Sequence, residues 1–231
     1  MSTPAITAPT YPVRVPLADV ALNGDLCIPA EARGLVVFAH GSGSSRHSPR
    51  NRSVAEMLRH HHLGTLLLDL LTGAEERADA ATAEFRFDIP LLADRLVAVL
   101  DWAALQPQTS PLAIGLFGAS TGAAAALIAA AKRPDDVRAV VSRGGRPDLA
   151  EAALKTVVAP TLLIVGGRDD LVKELNRQAF ELLSGPKELK IVQGATHLFE
   201  EPGTLGEVAR SATKWFAQYL VSPGEARSRK R

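Results

Sequence analysis

Residues 112–132 read LAIGLFGASTGAAAALIAAAK, an apolar run followed by a turn of small residues and an alanine-rich stretch. Residues 112–117 are short and continuously apolar, which is typical of a strand covered on both faces of its sheet. Residues 123–132 have the composition of a buried helix that stops before Pro134. Only Gly118-Ala119-Ser120-Thr121-Gly122 lies between them. The stretch therefore predicts a strand, a sharp turn and a helix in immediate succession.

Further apolar runs alternate with helical patterns along the rest of the chain. The runs are residues 34–39, 65–70, 137–142, 161–165 and 189–192, preceded by two extended segments at 11–19 and 22–28. Helical segments start near Ser48-Pro49, after Pro90, after Ser120, at Leu171 and at Leu205. This alternation predicts an α/β fold with a mostly parallel sheet and helices on both faces. Residues 71–87 show no clear element and are expected to form a long polar connection. No insertion is long enough for a large cap domain.

The composition describes a globular protein without a strong charge bias. The chain has 231 residues, of which 46% are hydrophobic and 22% charged, and its formal net charge is +1. This length suits a single domain, predicted at residues 1–222, followed by a basic, flexible tail at 223–231. Because the body of the chain shows no basic patch, nucleic acid is not an expected partner.

The number of cysteines and the hydropathy of the chain indicate in which cellular compartment the protein is expected. The single cysteine, Cys27, allows no intrachain disulfide, which favours a reducing environment. Residues 1–15 lack a charged start followed by an apolar stretch, so no signal peptide is expected. The longest apolar run, 123–131, is too short to span a bilayer. We therefore expect a cytoplasmic protein that has no membrane partner.

Ser120 is the candidate nucleophile. It lies at the centre of a G-x-S-x-G pattern between a strand and a helix, the context that a nucleophilic serine on a sharp elbow requires. Side chains at the flanking positions would clash in so tight a turn, which explains Gly118 and Gly122. We expect a strained backbone at Ser120 and a hydroxyl at the edge of the sheet. The N-terminus of the helix that follows Ser120 would stabilise negative charge that develops beside the serine during the reaction. The alternative is a serine that only caps the helix.

His197 is the candidate general base, since a serine hydroxyl needs one at neutral pH. It follows the apolar run 189–192 and so lies in a loop at the carboxyl end of a strand, where open α/β sheets place their sites. The run from His60 to His62 stands at a helix end, where positive charge is favourable. We prefer that interpretation to a metal site, and we expect no metal and no cofactor.

An aspartate is expected to orient the base. Asp169 and Asp170 both follow the apolar run 161–165, and an aspartate between Ser120 and the histidine fits the chain order of α/β hydrolases. Asp169 is preferred because it lies closer to the strand end, whereas Asp170 can cap the next helix. Asp69 is a weaker rival, more consistent with a structural acid in a hydrogen-bonded turn.

The transition state of acyl transfer carries an oxyanion, which needs N–H donors held in place. We predict one donor at the backbone of Thr121, directly after the nucleophile. The second is assigned to Ser42 in the glycine- and serine-rich loop after residue 39, with Gly43 as a neighbouring candidate for substrate contact. His40 is expected to shape this loop. A phosphate-binding loop would need a lysine that is missing here.

Arg143 follows the apolar run 137–142 and so also lies at the carboxyl edge of the predicted sheet. It is a candidate substrate-binding residue, because arginine binds carboxylate and phosphate groups well. The competing interpretation, a surface ion pair with Asp148, is favoured by the general rule that most charged side chains are solvated.

The chain resembles the α/β-hydrolase superfamily and, within it, the dienelactone-hydrolase-like group. The resemblance covers nearly the whole domain and is carried by four segments: His40-Gly41-Ser42-Gly43, Gly118-Ala119-Ser120-Thr121-Gly122, Gly167-Arg168-Asp169 and Gly194-Ala195-Thr196-His197. It implies the α/β-hydrolase fold and a triad of Ser120, Asp169 and His197. True dienelactone hydrolases are expected to carry a cysteine nucleophile. The serine found here favours an ester or related acyl substrate over lactone opening.

These observations predict a serine hydrolase that cleaves small esters through a covalent acyl-enzyme, with the small-molecule ester as its partner. Two alternatives stay open. One is acyl transfer or cofactor-free perhydrolysis on the same fold. The other is a binding module without catalysis, since a fold by itself does not determine function.

Overall fold

Eight strands form one sheet in residues 8–220, the part of the chain that the computed structural model describes. The strands are β1 (Thr10–Pro16), β2 (Ala21–Cys27), β3 (Gly34–Ala39), β4 (Leu63–Leu68), β5 (Ala113–Ala119), β6 (Val137–Arg143), β7 (Thr161–Gly166) and β8 (Lys187–Val192). Their spatial order is β1-β2-β4-β3-β5-β6-β7-β8. β2 pairs antiparallel with both β1 and β4, and the remaining neighbours pair in parallel. The mostly parallel α/β sheet predicted from the sequence is confirmed. The basic tail predicted at 223–231 lies outside the described residues.

Helices cover both faces of this sheet. They are α1 (Pro49–His60), α2 (Gly73–Thr82), α3 (Ile89–Leu105), α4 (Thr121–Lys132), α5 (Asp170–Leu182) and α6 (Thr204–Tyr219), with a 3₁₀ segment at Pro147–Thr156. α1 and α6 pack on one face, around an apolar cluster that includes Phe38 and Phe117. α3, α4 and α5 bury their apolar residues on the other face. Burial of both faces explains why most strand sequences are continuously apolar. None of the helices in residues 8–220 is long and apolar enough to cross a membrane.

The prediction of an irregular connection at residues 71–87 is wrong, because α2 lies within it. A capping box starts this helix: the Thr72 hydroxyl accepts a hydrogen bond from the Glu75 N–H, and the Glu75 carboxylate accepts one from the Thr72 N–H. Asp79 is its only buried residue, so α2 has no apolar stripe to reveal it in the sequence.

The strand predicted at 65–70 is displaced by two residues, since β4 spans Leu63–Leu68. Leu70 and Leu71 are buried in the core without pairing to a neighbouring strand, so the apolar run continues past the end of the strand. The other predicted strands and helices lie within a few residues of the observed elements. The parallel strands β3, β5, β6, β7 and β8 all end at one edge of the sheet, which is where the candidate functional residues gather.

Candidate active site

Ser120 lies on a strained turn between β5 and α4. Its backbone dihedrals are φ 49° and ψ −121°, a region that residues with side chains rarely adopt. The turn has no room for side chains beside it. A Cβ on Gly118 would lie 2.4 Å from the Ala123 Cα, and one on Gly122 would lie 2.4 Å from the Ala39 carbonyl oxygen. The strain and the crowding that the sequence predicts at this turn are both present.

Helix capping does not explain Ser120. The residue stands at the N-cap position of α4, but its side chain makes no capping hydrogen bond. Ser48 and Asp88 differ from it in this respect, because their side chains accept a backbone N–H at the starts of α1 and α3. Ser120 is half-buried and stands directly after β5, without the structural role that the alternative interpretation gave it.

Asp169 and His197 meet at the ends of β7 and β8. The His197 Nδ1 atom lies 2.6 Å from an Asp169 carboxylate oxygen, and 14% of the Asp169 side chain is exposed. A carboxylate at Nδ1 places the proton there and leaves Nε2 as the basic nitrogen. The loop that carries His197 is fixed by Glu201, whose two carboxylate oxygens both accept the Thr196 N–H at 3.1 Å. The sequence did not single out Glu201.

The rival aspartates have other partners. Asp170 is the first residue of α5 and does not cap it; its side chain is 88% exposed and pairs with Lys173. Asp69 accepts hydrogen bonds from the backbone and the guanidinium of Arg46, which fits the interpretation of Asp69 as a structural acid. Among the three candidates, Asp169 is the one in contact with His197.

The end of β6 and the residue that follows it lie near both Ser120 and His197. The Ser120 N–H donates to the Arg143 carbonyl oxygen at 3.3 Å. On the next residue, a Cβ added to Gly144 would lie 3.2 Å from the His197 carbonyl oxygen and 3.6 Å from its Cε1 atom. The backbone of Ser120 is therefore hydrogen-bonded to Arg143, and His197 lies close to the adjacent Gly144.

The loop after β3 lies directly against the elbow. A Cβ on Gly41 would lie 2.9 Å from the Ser120 Cβ. The N–H of Thr121 belongs to the first turn of α4, where backbone donors have no partner within the helix. The Ser42 N–H donates to the Thr121 hydroxyl at 3.0 Å. The two predicted oxyanion donors are therefore neighbours, and the Ser42 N–H is bound by the Thr121 side chain.

His40 fixes the loop after β3 through hydrogen bonds between its ring and the backbone. Its Nε2 accepts the Leu70 N–H at 3.0 Å, so its Nδ1 carries the proton and donates to the Gly41 carbonyl oxygen at 2.9 Å. Burial lowers the pKa of His40 and keeps the ring neutral, although the contact with Gly41 and the charge of Asp69 oppose this effect. With both ring nitrogens bound to backbone, His40 shapes the loop, as the sequence suggested.

A cleft of about 540 Å³ opens beside Thr121. One wall is the loop after β3 with the start of α1, and Gly43 lines it in a left-handed conformation with φ 65°. The other wall is α2, which two ion pairs fasten to its surroundings. Arg95 binds Glu75 at 2.5 Å, and Arg86 binds Asp79 at 2.6 Å.

Arg143 has no ion pair with Asp148, so that interpretation is wrong. Arg146 binds Asp148 instead, through two hydrogen bonds of 2.9 and 2.7 Å. Arg143 is only 8% exposed. Burial lowers its pKa to about 10, and the positive charge of Arg50 contributes to this shift. The sequence shows that an arginine ends β6, but burial and the choice of partner depend on packing from other elements.

Arg50 was missed by the sequence analysis, although it carries a signal. It lies in the first turn of α1, which has no acidic residue, and cations are unfavourable at the positive end of a helix. A residue that breaks this rule can mark a functional site.

The histidine run at residues 60–62 lies at the end of α1. His60 ends α1 and His61 caps it, in line with their predicted placement at a helix end. Within residues 8–220, no group of three histidine, cysteine, aspartate or glutamate side chains is arranged to hold a metal ion.

Several known proteins are similar to this chain in sequence, in fold or in both. The model of the dienelactone hydrolase family matches residues 30–221. A structure named dienelactone hydrolase from Anabaena variabilis is 57% identical, with a TM-score of 0.91, and the match covers 93% of this chain and 99% of that one. Est1E from Butyrivibrio proteoclasticus is similar in fold alone, with a TM-score of 0.75 at 16% identity over 90% of this chain and 98% of its own.

A curated relative from Mycobacterium tuberculosis, a putative phosphoribosyl transferase, is 58% identical over 212 residues. That match covers 92% of this chain but 47% of the relative, so the chain spans about half the length of the curated protein. The family model, by contrast, extends over most of the chain, from before β3 to the end of α6. The chain has the α/β-hydrolase fold and belongs to the dienelactone hydrolase family.

Proposed function

We propose that this protein is a serine esterase that cleaves small acyl substrates through a covalent acyl-enzyme. The observation that carries the proposal is the 2.6 Å contact between Asp169 and His197 at the sheet edge where Ser120 stands on its strained turn. A serine, an orienting acid and a base, in this chain order, are the components of nucleophilic acyl transfer on this fold. The serine in place of a cysteine favours ester substrates.

The proposed reaction has two halves. The Ser120 oxygen attacks the acyl carbon while its proton passes to His197 Nε2. The carbonyl oxygen becomes an oxyanion, and collapse of this intermediate breaks the ester bond as His197 protonates the leaving alcohol. Water then attacks the acyl-enzyme, giving its proton to His197. Collapse of the second intermediate releases the carboxylic acid, and the proton returns from His197 to Ser120.

The oxyanion would be stabilised by the N–H groups of Thr121 and Ser42. The Ser42 donor is engaged with the Thr121 hydroxyl, so an oxyanion must replace that hydroxyl as the acceptor. The exchange needs no change of fold, because the two residues are already adjacent.

The proposal does not include the phosphoribosyl transferase activity for which the mycobacterial relative is named. The chain matches 47% of that protein, and the proposal rests on the sheet and the side chains of this chain alone. Acyl transfer is distinguished from hydrolysis by the acceptor that takes the acyl group, water or another nucleophile.

Labelling with a fluorophosphonate probe tests the proposal. We expect wild-type protein to be labelled at Ser120, because the probe reacts only with a serine activated by its neighbours. The Ser120→Ala variant should not be labelled. A folded wild-type protein that does not react would show that the serine is idle and would support a binding module instead.

The preferred acyl chain should be short. The cleft-facing residues of α2 are Glu76, Asp79 and Ala80, so this wall offers little apolar surface. An apolar groove would gain about 0.8 kcal/mol for each methylene it buries. We therefore expect kcat/KM for p-nitrophenyl esters to be highest at acetate, propionate or butyrate and to fall for longer chains. A maximum at eight carbons or more, in a series from two to twelve, would reveal an apolar channel and contradict this expectation.

A further inference from the structure

The Thr121 hydroxyl lies at the proposed oxyanion site. Thr121 directly follows Ser120 as the first residue of α4, and it borders the cleft although it is only 4% exposed. Its hydroxyl oxygen lies 3.0 Å from the backbone nitrogen of Ser42, which is one predicted oxyanion donor. The other predicted donor is the N–H of Thr121 itself. An oxyanion that accepts hydrogen bonds from both N–H groups would therefore lie beside this hydroxyl.

The neighbouring hydrogen bonds determine where the hydroxyl proton of Thr121 points. The Ser42 hydroxyl donates to the Arg86 carbonyl oxygen at 3.3 Å, because a carbonyl oxygen can only accept. The hydroxyl oxygens of Thr121 and Ser42 are 3.0 Å apart. Each hydroxyl has one proton, so the proton between the two oxygens belongs to Thr121. The Thr121 hydroxyl therefore accepts the Ser42 N–H and donates to the Ser42 hydroxyl.

Both ends of this chain of hydrogen bonds are held in place. At the Arg86 end, the Asp79 carboxylate accepts the backbone N–H of Arg86 at 2.9 Å and its Nε–H at 2.6 Å. At the other end, the Thr121 side chain is buried, and branching at its Cβ restricts rotation about χ1. The hydroxyl oxygen is thus fixed, whereas its hydrogen can turn about the C–O bond toward a new acceptor.

We propose that the Thr121 hydroxyl is a third oxyanion donor, in addition to the N–H groups of Thr121 and Ser42. When negative charge develops on the substrate carbonyl oxygen, the O–H turns from the Ser42 hydroxyl to the oxyanion. The new hydrogen bond is about twice as strong as the neutral one it replaces. The proton stays on Thr121, and no bond to it breaks. Because the gain appears only in the transition state, it raises kcat rather than substrate affinity. This inference rests on the proposed esterase function, which supplies the oxyanion.

Replacement of Thr121 by valine keeps the branched shape and removes the hydroxyl. Loss of one oxyanion donor typically reduces kcat by about 10²- to 10³-fold, and two N–H donors remain here. We therefore expect Thr121→Val to reduce kcat for p-nitrophenyl acetate by about 10- to 100-fold with little change in KM. Thr121→Ser, which restores the hydroxyl, should recover most of the loss. Thr213→Val is the control and should keep the wild-type kcat, because Thr213 is a buried threonine on α6 whose hydroxyl donates to the Ala209 carbonyl oxygen. An unchanged or higher kcat in Thr121→Val would contradict the proposal.

Ser42→Ala distinguishes an oxyanion donor from a contact that only holds the loop after β3. Alanine removes the hydroxyl that accepts the Thr121 proton and keeps the backbone N–H of residue 42. If the Thr121 hydroxyl acts on the oxyanion, kcat should rise severalfold, because a neutral hydrogen bond no longer competes for its proton. A fall in kcat as large as that of Thr121→Val would show that the pair of hydroxyls only holds the loop, and it would overturn the proposal.

A stable oxyanion on the enzyme gives a readout without turnover. A trifluoromethyl ketone adds to Ser120 as a hemiketal, and fluorine NMR at different pH values follows the ionisation of the hemiketal hydroxyl. Hydrogen-bond donors favour the ionised form. We expect the acid dissociation constant of the hemiketal to be about tenfold smaller in Thr121→Val than in the wild type, and Thr121→Ser to restore it. Equal constants in the wild type and Thr121→Val would refute the third donor and leave the esterase proposal intact. If neither the ketone nor the fluorophosphonate modified Ser120, the esterase proposal would fail, and the third donor with it.

Discussion

Replacement of Ser120 by alanine is expected to reduce kcat for p-nitrophenyl acetate by about 10⁴- to 10⁶-fold while the fold is retained. The physical reason is that the hydroxyl forms the acyl-enzyme in the proposed mechanism, and within residues 8–220 no other serine has a positive φ. Loss of a nucleophile in a triad removes most of the rate enhancement, and the residual activity comes from binding and the oxyanion donors. Steady-state kinetics on the purified variant, with circular dichroism to confirm folding, measure the effect.

Ser120→Gly is the matched control for this result. Glycine tolerates the backbone at φ 49° and ψ −121°, whereas alanine retains the strain. The glycine variant should therefore be as inactive as the alanine variant but more stable than it, by about 1 kcal/mol. If either variant hydrolysed the ester at the wild-type rate, the nucleophile would have to be another residue.

Replacement of Asp169 by asparagine is expected to reduce kcat by about 10³- to 10⁴-fold. The asparagine amide cannot hold the proton on His197 Nδ1 as the carboxylate does, so the ring is no longer fixed with Nε2 as the base. Asp170→Asn should change kcat less than twofold, because that side chain is 88% exposed and pairs with Lys173. Comparison of kcat for the two variants on the same ester is the measurement.

Asp69→Asn completes this comparison. Asp69 binds Arg46, so its replacement should reduce stability rather than the chemical step. Equal and mild losses of kcat in Asp169→Asn and Asp170→Asn, together with a large loss in Asp69→Asn, would transfer the orienting role to Asp69. A ranking with Asp170 above Asp169 would move that role by one residue along the chain.

Local patterns made the central part of the site predictable. The apolar run at 112–117, the glycines around Ser120 and the helix that follows are consecutive in the chain, and steric crowding in a tight turn depends only on near neighbours. His197 and Asp169 were selected by the same means, since each follows an apolar run that ends at the edge of a parallel sheet. These inferences needed the sheet to be parallel but did not need its strand order.

α2 shows where local patterns were insufficient. Its capping box was present in the sequence at Thr72 and Glu75, but the helix has almost no apolar residues to bury. What holds it over the cleft is ion pairing of Glu75 with Arg95 on α3 and of Asp79 with Arg86. The partner of a charged side chain depends on tertiary packing, which hydrophobic periodicity does not reveal.

The sequence by itself determined the α/β class, the elbow at Ser120 and the identity of the residues at the strand ends, because hydrophobic periodicity and steric limits act between near neighbours. Only the tertiary structure decided which aspartate meets His197 and that Arg146, not Arg143, pairs with Asp148. It also decided that the arginine at the end of β6, Arg143, is buried and donates to the Asn51 side chain of α1. The physical reason is that burial and charge pairing depend on which elements pack together. A charged side chain is solvated or desolvated by its neighbours in space, and those neighbours come from distant parts of the chain.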